Sequence, residues 1–479
     1  MFDVAIIGGG VVGGMIARTL SAYDLRICIL EKERDVAMGA TKANSAIVHA
    51  GFDAKEGSLK ARLNVRGSEM MEEVTRELGV KYRRNGSLVI GFNDEDKKHL
   101  EQLLVRGNAN GVKDLRLLNG DEVRALEPNI SKNVTCALHA PTGAIVCPYE
   151  LCIAAIGNAM DNGAALYRDF AVSSIKETED GYRISCCNGE AVRARYIVNA
   201  AGVFADEIAR MVGDNSFSIH PRRGEYVLLD KECGGTVSHT VFRTPSKMGK
   251  GILVSPTVDN NLLLGPTSVD MEDKEEKETT AEGLALVMRE ASENLSTPIP
   301  FGKSITSFCG LRAVGSTGDF IINVQKGRFV NVAGIESPGL SASPAIAKYV
   351  CELLSENGLA LVKKESYNPI REPKHAFREA SIEEKNAIIK ENPAYGRIIC
   401  RCEHVTEGEI LDAIRSNPTA RDIDGVKRRT RSGMGRCQGG FCGPYVMELL
   451  SREYGKSMER VTKSGGESVM VIGKTKGEL

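Results

Sequence analysis

The stretch DVAIIGGGVVGGMIARTLSAYDLRICILE, residues 3–31, decides the fold of the N-terminal part of this chain. Residues 3–7 form a short run rich in branched apolar side chains, which predicts a strand. A G-x-G-x-x-G pattern follows directly, and its glycines are Gly8, Gly10 and Gly13. In such a pattern the first glycine permits a tight turn, the second lets backbone N–H groups approach a pyrophosphate, and the third lets the next helix pack closely. A helix through 15–20 and a second strand at 26–30 complete the unit.

The residue that ends this second strand is acidic, as a nucleotide site requires. We expect Glu31 to accept hydrogen bonds from a ribose hydroxyl and Lys32 beside it to contact the cofactor. A chain with 50 glycines produces some G-x-G-x-x-G matches by chance, but this one has the complete strand, turn, helix and strand context. The stretch therefore predicts a dinucleotide site rather than an ordinary glycine-rich turn. It leaves FAD and NAD open, and its N-terminal position favours a flavoprotein.

Composition narrows the class of protein. The 479 residues predict two to four domains, and 42% hydrophobic residues suffice for buried cores. A formal net charge of -1 provides no general attraction to nucleic acid or acidic membranes. No apolar stretch approaches the length of a membrane span, and no signal-peptide pattern precedes residue 3. We therefore expect a cytoplasmic protein and leave peripheral membrane association open. Thirteen scattered cysteines do not suit a secreted disulfide framework.

Strand and helix patterns predict an α/β protein whose Rossmann-type nucleotide-binding domain is interrupted by an antiparallel-sheet substrate domain. The nucleotide-binding domain comprises 1–80, 148–215 and 328–357. The substrate domain comprises 81–147 and 216–327. A linker at 358–393, with a short helix near 381–391, leads to a small helical domain at 394–460 and a tail at 461–479.

Polar and small residues outside the glycine turn form a second group of candidate ligand contacts. Residues 39–52 lack a helical period and can lie along a ligand, with Thr41, Asn44 and Ser45 as donors and His49 directed inward. Close approach to a cofactor requires small residues where strands end. A second strand-turn-helix at 328–355 aims backbone N–H groups at a ligand. The further predicted contacts are Val172, Ala201, Gly202, Gly334, Pro338, Gly339, Leu340 and Ser341.

The sequence motifs resemble those of the D-amino-acid-oxidase-type FAD-dependent oxidoreductases, specifically the glycerol-3-phosphate dehydrogenase and oxidase branch. The resemblance extends from residue 3 to about residue 347. It rests on GGGVVG, NSAIVHAGFD running into GSLKARLNVRG, NAAGVFADEIA, PRRGEYVLL, GKGILVSPTVDNNLLLGPT, GLRAVG and GIESPGLSASPAIA. The HAGF and GSLKA elements also resemble L-2-hydroxyglutarate oxidase or dehydrogenase, which is the alternative.

The C-terminal segments ICRCEHVTEGEI and RRTRSGMGRCQGGFCGP resemble the bacterioferritin-associated-ferredoxin type of 2Fe-2S domain. Their four cysteines can ligate a 2Fe-2S cluster, and these are Cys400, Cys402, Cys437 and Cys442. Zinc is the alternative occupant, although C-x-C with C-x4-C departs from the usual C-x2-C pattern. A basic run lies beside them, and we expect it to compensate the cluster's charge or dock a partner rather than bind nucleic acid. It comprises Lys427, Arg428, Arg429, Arg431 and Arg436.

The resemblance implies an FAD enzyme that oxidises sn-glycerol 3-phosphate to dihydroxyacetone phosphate and passes electrons through the cluster to an acceptor protein or subunit. His49 would be the base, and Arg312 would bind a phosphate or carboxylate bidentately. Lys250 and Ser337 match positions near the substrate. L-2-hydroxyglutarate or another 2-hydroxy acid is the alternative substrate, and a non-catalytic flavin and iron-sulfur electron carrier is the second alternative. Arg222 and Arg223 would border the pocket, whereas Cys136, Cys147 and Cys309 would be packing residues.

Overall fold

The computed structural model describes residues 1–244, 251–371, 377–473 and 475. Its strands are β1 Phe2–Ile7, β2 Ile27–Leu30, β3 Ile47–Val48, β4 Tyr82–Arg83, β5 Ser87–Gly91, β6 Arg116–Asn119, β7 Cys136–Ala140, β8 Ala144–Val146, β9 Ala165–Tyr167, β10 Val172–Thr178, β11 Gly181–Cys186, β12 Ala191–Asn199, β13 Ile219–Leu229, β14 Thr240–Arg243, β15 Leu253–Pro256, β16 Leu262–Gly265, β17 Val269–Asp270, β18 Ser304–Gly315, β19 Ile321–Gln325, β20 Phe329–Ala333, β21 Ile398–Cys400 and β22 Val405–Thr406. Its α-helices are α1 Val11–Leu20, α2 Leu59–Glu77, α3 Asp94–Ala109, α4 Gly120–Leu126, α5 Pro148–Asp161, α6 Ala205–Arg210, α7 Ala281–Glu293, α8 Gly339–Glu356, α9 Ile382–Glu391, α10 Glu407–Arg415, α11 Ile423–Thr430 and α12 Gly443–Tyr454.

The N-terminal strand lies at the centre of an eight-stranded sheet. The strand order is β10-β11-β12-β1-β2-β9, and β20 with its partner β19 adjoins β12. β1 pairs in parallel with β12 and β2, so its carboxyl end carries the glycine turn at the edge where such sheets bind ligands. Helices α1, α5 and α8 cover one face with fully buried apolar side chains such as Ile16, Ile156 and Ile346. The predicted Rossmann-type α/β domain is confirmed.

A second sheet of nine strands forms the substrate side of the molecule. Its order is β17-β13-β16-β15-β14-β5-β7-β6, and β18 lies on the other side of β13. β13 and β18 pair in antiparallel orientation along their whole length. β5 and β14 are the parallel pair within this sheet. The predicted antiparallel substrate sheet is therefore present, with one parallel pair and with β5, β6 and β7 from the earlier block.

Two strand pairings shift the predicted domain boundaries. A three-stranded sheet in the order β3-β8-β4 joins both ends of the 81–147 block to β3, so these ends belong with the nucleotide-binding domain. β19 lies within the predicted 216–327 block but forms a hairpin with β20 of the first sheet. Backbone pairing with partners that are distant in sequence, rather than composition, sets both boundaries.

The C-terminal module consists of the β21–β22 hairpin and helices α10, α11 and α12 around a core that includes Val426 and Leu450. The predicted linker helix is α9. The first part of the predicted tail belongs to this module, because the amide of Asp424 donates to the carbonyl of Lys463 and Val461 is buried. Among the described residues, no helix is both long and apolar enough to cross a membrane.

Candidate active site and cysteine site

The glycine turn after β1 is shaped by two close backbone contacts. Gly8 has a φ of +113°, and a Cβ there would lie 2.3 Å from the carbonyl oxygen of Ala200. A Cβ on Gly13 would lie 2.1 Å from the carbonyl oxygen of Gly8. Both positions therefore require glycine, and Gly13 packs behind the turn instead of lining a cavity. Gly10 precedes α1 and lines the cavity together with Val11 and Val12 of the first turn of the helix.

Glu31, the predicted acceptor for a ribose hydroxyl, is buried and lines the cavity. Its Oε2 accepts a hydrogen bond from the amide of Gly9 at 2.7 Å, and its Oε1 accepts one from the amide of Glu33 at 2.8 Å. Burial raises the pKa of Glu31 to about 7 despite these two bonds. Each carboxylate oxygen keeps a further lone pair for a hydroxyl donor. The carboxylate is thus held rigidly at the end of β2.

Two residues of the loop after Glu31 that were predicted to donate to a ligand make hydrogen bonds within the protein. Thr41 Oγ1 accepts from the amide of Val11 at 3.0 Å, and this bond caps α1. Asn44 bonds to its own loop, since its Nδ2 donates to the carbonyl of Thr41 at 2.8 Å. Ser45 Oγ lies 3.2 Å from the hydroxyl of Tyr226 on β13. Thr41 and Asn44 therefore shape the loop, while Ser45 connects it to the second sheet.

His49 and Ser337 meet at the far end of the same space. Ser337 Oγ lies 3.3 Å from His49 Nε2. The amide of His49 donates to Ser341 Oγ at 2.7 Å, so Ser341 positions the histidine backbone from α8. Ser341 is fully buried and does not line the cavity, unlike its predicted role as a cofactor contact. The ring of Phe242 lies beside the imidazole at 5.8 Å between centroids.

Arg312 enters this space from β18. Its guanidinium lies over Gly224 of β13, where a Cβ would be 2.6 Å from Nη2, and it donates to the carbonyl of Thr267 at 3.2 Å. Across residues 1–244, 251–371 and 377–473, Arg312 has no carboxylate within ion-pair distance. The predicted pocket residues Arg222 and Arg223 do not line the cavity, because they pair with Asp270 and Glu276 on the strand and loop beside them.

A cavity of about 410 Å³ extends along these elements from the glycine turn to Arg312. Gly334 has a φ of +64° and shapes the turn before α8 without lining the cavity. Lys250 lies outside the described residues. The predicted residues that line the cavity are Gly8, Gly10, Glu31, Lys32, Thr41, Asn44, Ser45, His49, Val172, Ala201, Gly202, Arg312, Ser337, Pro338, Gly339 and Leu340.

Tyr226, Lys274, Lys277 and Cys309 are among the lining residues that were not predicted from the sequence as site residues. Tyr226 stacks on Phe308, with ring centroids 4.8 Å apart, and shares a face of β13 with Gly224. The period-two alternation of that strand is the signal that could have identified it. Lys274 and Lys277 come from a charged loop that carries no motif. Cys309 was predicted as a packing residue, and it is buried at the cavity wall, where burial raises its pKa to about 11.

The four C-terminal cysteines meet in two pairs. Cys402 Sγ lies 3.8 Å from Cys437 Sγ, and Cys400 and Cys442 are joined by a thiol hydrogen bond. Backbone amides also donate to the sulfurs, as that of Gly433 does to Cys400. Among the described residues, no three or more His, Cys, Asp or Glu side chains converge where a single metal ion could be held.

Comparison with known proteins identifies two domains in the chain. A profile described as FAD dependent oxidoreductase (DAO) matches residues 3–353, and one described as BFD-like [2Fe-2S] binding domain matches residues 398–452. The chain belongs to the FAD dependent oxidoreductase (DAO) family. As a member of that family it is an oxidoreductase, and the resemblance noted from the motifs is confirmed.

Individual relatives cover different parts of this DAO-family chain. It is 48% identical over 481 residues to a glycerol 3-phosphate dehydrogenase from Caloramator mitchellensis, with 100% of each chain covered. It is 33% identical over 279 residues to the mitochondrial L-2-hydroxyglutarate dehydrogenase of Mus musculus, covering 55% of this chain and 60% of that protein. The FAD-bound, dithionite-reduced L-alpha-glycerophosphate oxidase of Mycoplasma pneumoniae has a TM-score of 0.73 at 30% identity, covering 77% of this chain and 98% of that one.

The residues of the DAO domain fit FAD. The cavity is elongated and extends from the turn at Gly8 to His49. Apart from its two chain neighbours, no described residue has an atom within 4 Å of a Cβ built on Gly202, so the backbone there has room for a planar group. Lys32 adds a positive charge at the nucleotide end and lies 4.0 Å from the ring centroid of Phe204.

Arginines of the predicted basic run attach the C-terminal module to the DAO domain. Asp35, in the segment after Glu31, accepts from Arg428 Nη2 at 2.6 Å and from Arg429 Nη1 and Nη2 at 2.7 Å each. These side chains are almost completely buried. Buried carboxylates require such cations, so the two arginines serve internal docking and are not available to an external partner.

Two further arginines of the run bind the substrate side of the molecule. Arg431 donates to Asp259 Oδ2 at 2.7 Å and to Glu403 Oε2 at 2.9 Å. Arg436 donates to Asp230 Oδ2 at 2.8 Å. The expectation that the run serves chiefly the cluster or a partner is thus corrected: four of its members hold domains of the same chain together. The sequence alone did not indicate this role, because the carboxylate partners of these arginines are far away along the chain.

Proposed function

We propose that this protein oxidises sn-glycerol 3-phosphate to dihydroxyacetone phosphate, with FAD as the first electron acceptor. The observation that carries the proposal is Arg312, a cation without a carboxylate partner among the described residues, in the same cavity as His49 and Ser337. The dehydrogenase of Caloramator mitchellensis and the glycerophosphate oxidase of Mycoplasma pneumoniae support this substrate class.

Removal of the hydroxyl proton is assigned to His49. Bound FAD supplies the acceptor for the hydride that leaves the carbinol carbon, at flavin N5. The base must lie within hydrogen-bond reach of the hydroxyl proton. His49 Nε2 borders the cavity, and its bond with Ser337 directs the imidazole toward the substrate space. Ser341 acts as a positioning residue, because it holds the backbone of His49 from α8.

Binding of the phosphate is assigned to Arg312. A guanidinium matches two phosphate oxygens with two parallel N–H groups, and the surrounding protein strengthens such charge-assisted bonds. The side chain of Arg312 crosses β13 over Gly224, because a larger residue at that position would collide with the guanidinium. Lys250 remains a predicted second cation for the same phosphate. A carboxylate would fit the same fork, so the L-2-hydroxyglutarate dehydrogenase relative supports a 2-hydroxy acid as the second candidate substrate.

The four cysteines are assigned to a 2Fe-2S cluster that takes electrons onward. Such a cluster needs one pair of thiolates for each iron, and Cys402 with Cys437 and Cys400 with Cys442 form two pairs. A structural zinc would instead need four thiolates around one point. We place the reaction in the cytoplasm, because none of the thirteen cysteines forms a disulfide. We infer an acceptor protein or subunit in solution or at a membrane surface.

Anaerobic absorbance spectra of the purified protein test the proposal. Glycerol 3-phosphate is expected to bleach the flavin band, and L-2-hydroxyglutarate added at the same concentration is expected to leave it unchanged. Bleaching by the hydroxy acid alone would replace the proposed substrate. If dithionite reduces the flavin but neither substrate does, the protein is an electron carrier without this dehydrogenase activity.

A further inference from the structure

The two thiol pairs differ in their access to solvent. Cys400 and Cys442 are buried, whereas Cys402 is exposed and Cys437 is half-buried. The outer pair, Cys402 and Cys437, is therefore the side of the cysteine site from which an electron has the shorter way out. Phe441 lies directly beside this pair, because its backbone amide donates to Cys437 Sγ.

Phe441 is unusual for its exposure. It is 80% exposed and lies between Gly440 and Cys442 in the segment CQGGFC, residues 437–442. Tyr445, one turn into α12, is 47% exposed, and Ile398 on β21 is 49% exposed. Large apolar side chains grouped on a surface, with aromatic residues among them, mark protein interaction sites. Phe441 lies beside the outer thiol pair, and Tyr445 follows it by four residues. Arg397, which precedes Ile398, lies 5.5 Å from the ring centroid of Tyr445 and connects β21 to this surface.

The charges around Phe441 select the kind of partner. Arg401 precedes Cys402, is exposed, and makes no hydrogen bond or ion pair within the described part of the chain. Arg397 lies 5.5 Å from the ring centroid of Tyr445 and shares Glu407 with Arg452. Arg452 also lies 3.9 Å from Glu453, which pairs with Arg415. Three guanidiniums thus share two carboxylates, and Arg401 adds a further positive charge to this face. The inward side of the module is already occupied by its ion pairs with Asp35 and Asp259.

We propose that Phe441, Tyr445, Ile398, Arg397 and Arg401 form an exit face that docks a one-electron acceptor protein with an acidic surface. The inference deepens the proposed function and rests on its assignment of a 2Fe-2S cluster to the four cysteines. In each docking event one electron leaves the reduced cluster and reduces one redox centre of the partner. Two events remove the two electrons that oxidation of one substrate molecule supplies, and no proton crosses the exit face.

Rubredoxin, an acidic one-electron iron protein, is the probe, and cytochrome c is the basic counterpart. The holoprotein is first reduced with stoichiometric dithionite, so the supply of electrons does not depend on the substrate. Phe441→Ser and Arg401→Glu are each expected to lower the second-order rate of rubredoxin reduction by about tenfold or more. Reoxidation of Phe441→Ser by ferricyanide, which needs no protein interface, should stay within about twofold of the wild type. For Arg401→Glu the same comparison is made at high ionic strength, because ferricyanide is itself an anion. Phe441→Tyr keeps the ring and should restore the rate.

Matched controls lie on other parts of the surface. Val105→Ser on α3 truncates an apolar residue that is 70% exposed, and Arg289→Glu on α7 reverses an exposed charge. Neither should change the rate. Hydrogen exchange supplies a readout besides activity: rubredoxin should protect amides of 398–402 and 439–445 in the wild type and not in Phe441→Ser.

The outcomes are decisive in each direction. Wild-type rates of rubredoxin reduction in both Phe441→Ser and Arg401→Glu would overturn the proposal, as would faster reduction of cytochrome c than of rubredoxin at low ionic strength. If Phe441→Ser lost cluster absorbance, Arg401→Glu and the exchange data would decide the matter. Absence of a cluster spectrum in the wild type before any acceptor is added would instead refute the cluster assignment.

Discussion

The first prediction concerns the buried ion pairs that join Asp35 to Arg428 and Arg429 of the C-terminal module. Arg429→Met removes a guanidinium that donates twice to Asp35 from α11. Asp35 belongs to the same segment as Glu33 and Met38, which line the cofactor cavity. The substitution therefore tests whether the cysteine module stabilises the FAD site across the domain interface, in addition to stabilising itself.

The expected loss follows from burial. The Arg429 side chain is 0% exposed and that of Asp35 is 3% exposed. Removal of one partner from a buried ion pair costs about 3–5 kcal/mol, since the other charge stays buried. Arg428 still faces Asp35 at 2.6 Å, so we expect the lower end, about 3 kcal/mol. That free energy corresponds to a change of roughly a hundredfold in the docking equilibrium.

The pH dependence of this contribution has a definite sign. Burial acts to raise the pKa of Asp35, but the charges and hydrogen bonds of Arg429 and Arg428 outweigh it and hold the pKa well below its usual range. A carboxyl with a lowered pKa in the folded state stabilises the protein above its unfolded pKa of about 3.9. The stabilisation is lost as the pH falls below that value.

Urea unfolding at neutral pH provides the assay, followed by flavin fluorescence and by far-ultraviolet circular dichroism. Arg429→Met should lower the free energy of unfolding by about 3 kcal/mol and release flavin at lower urea concentrations. Arg452→Met is the matched control, because its side chain is 55% exposed and pairs with Glu407, and it should cost about 0–1 kcal/mol. A loss below about 1 kcal/mol in Arg429→Met would refute the reasoning, since the pair would then behave like a surface pair.

Four further predictions concern the two sites. Arg312→Met should raise KM for glycerol 3-phosphate by about 10- to 100-fold in steady-state kinetics, because a charged hydrogen bond contributes about 1.5–3 kcal/mol. His49→Asn should slow flavin reduction by substrate by about 10²–10⁴ in stopped-flow experiments. FAD affinity, measured by fluorescence titration, should rise as the pH approaches 7, because burial raises the pKa of Glu31 to about 7 and the ionised carboxylate is the better acceptor for ribose. Glu31→Gln should flatten this slope. Changing Cys437 and Cys442 to Ser should remove cluster absorbance and transfer to the native acceptor while sparing flavin reduction.

Each of these predictions has an outcome that contradicts it. An unchanged KM in Arg312→Met would remove this residue from phosphate binding, and Arg312→Lys should lie between it and the wild type. Flavin reduction at the wild-type rate in His49→Asn would exclude His49 as the base. A pH slope that persists in Glu31→Gln would assign it to another group. Full transfer to the acceptor after loss of both cysteines would exclude the cluster from the route.

Local sequence was sufficient to predict elements whose interactions are close along the chain. The strand, glycine turn and helix from β1 to α1 follow one another directly along the chain, and Gly13 is required by the nearby carbonyl oxygen of Gly8. Gly8 is required by a distant residue, because a Cβ there would meet the carbonyl oxygen of Ala200. The start of α2 is also set locally, because the side chain of Ser58 accepts from the amide of Ala61 and caps the helix. The C-terminal cysteine spacing likewise predicted the sites that come together as two pairs.

Tertiary structure decided which residues share the active-site cavity. Arg222, Arg223 and Arg312 are indistinguishable as cations in the sequence, but strand register places Arg312 over Gly224 and gives the other two carboxylate partners. The basic run was visible as charge, whereas its partners Asp35 and Asp259 lie hundreds of residues away. The residues 3–31 thus determined a nucleotide-binding unit by themselves. Long-range pairing alone decided what faces it, because register and buried ion pairs join segments that no local pattern connects.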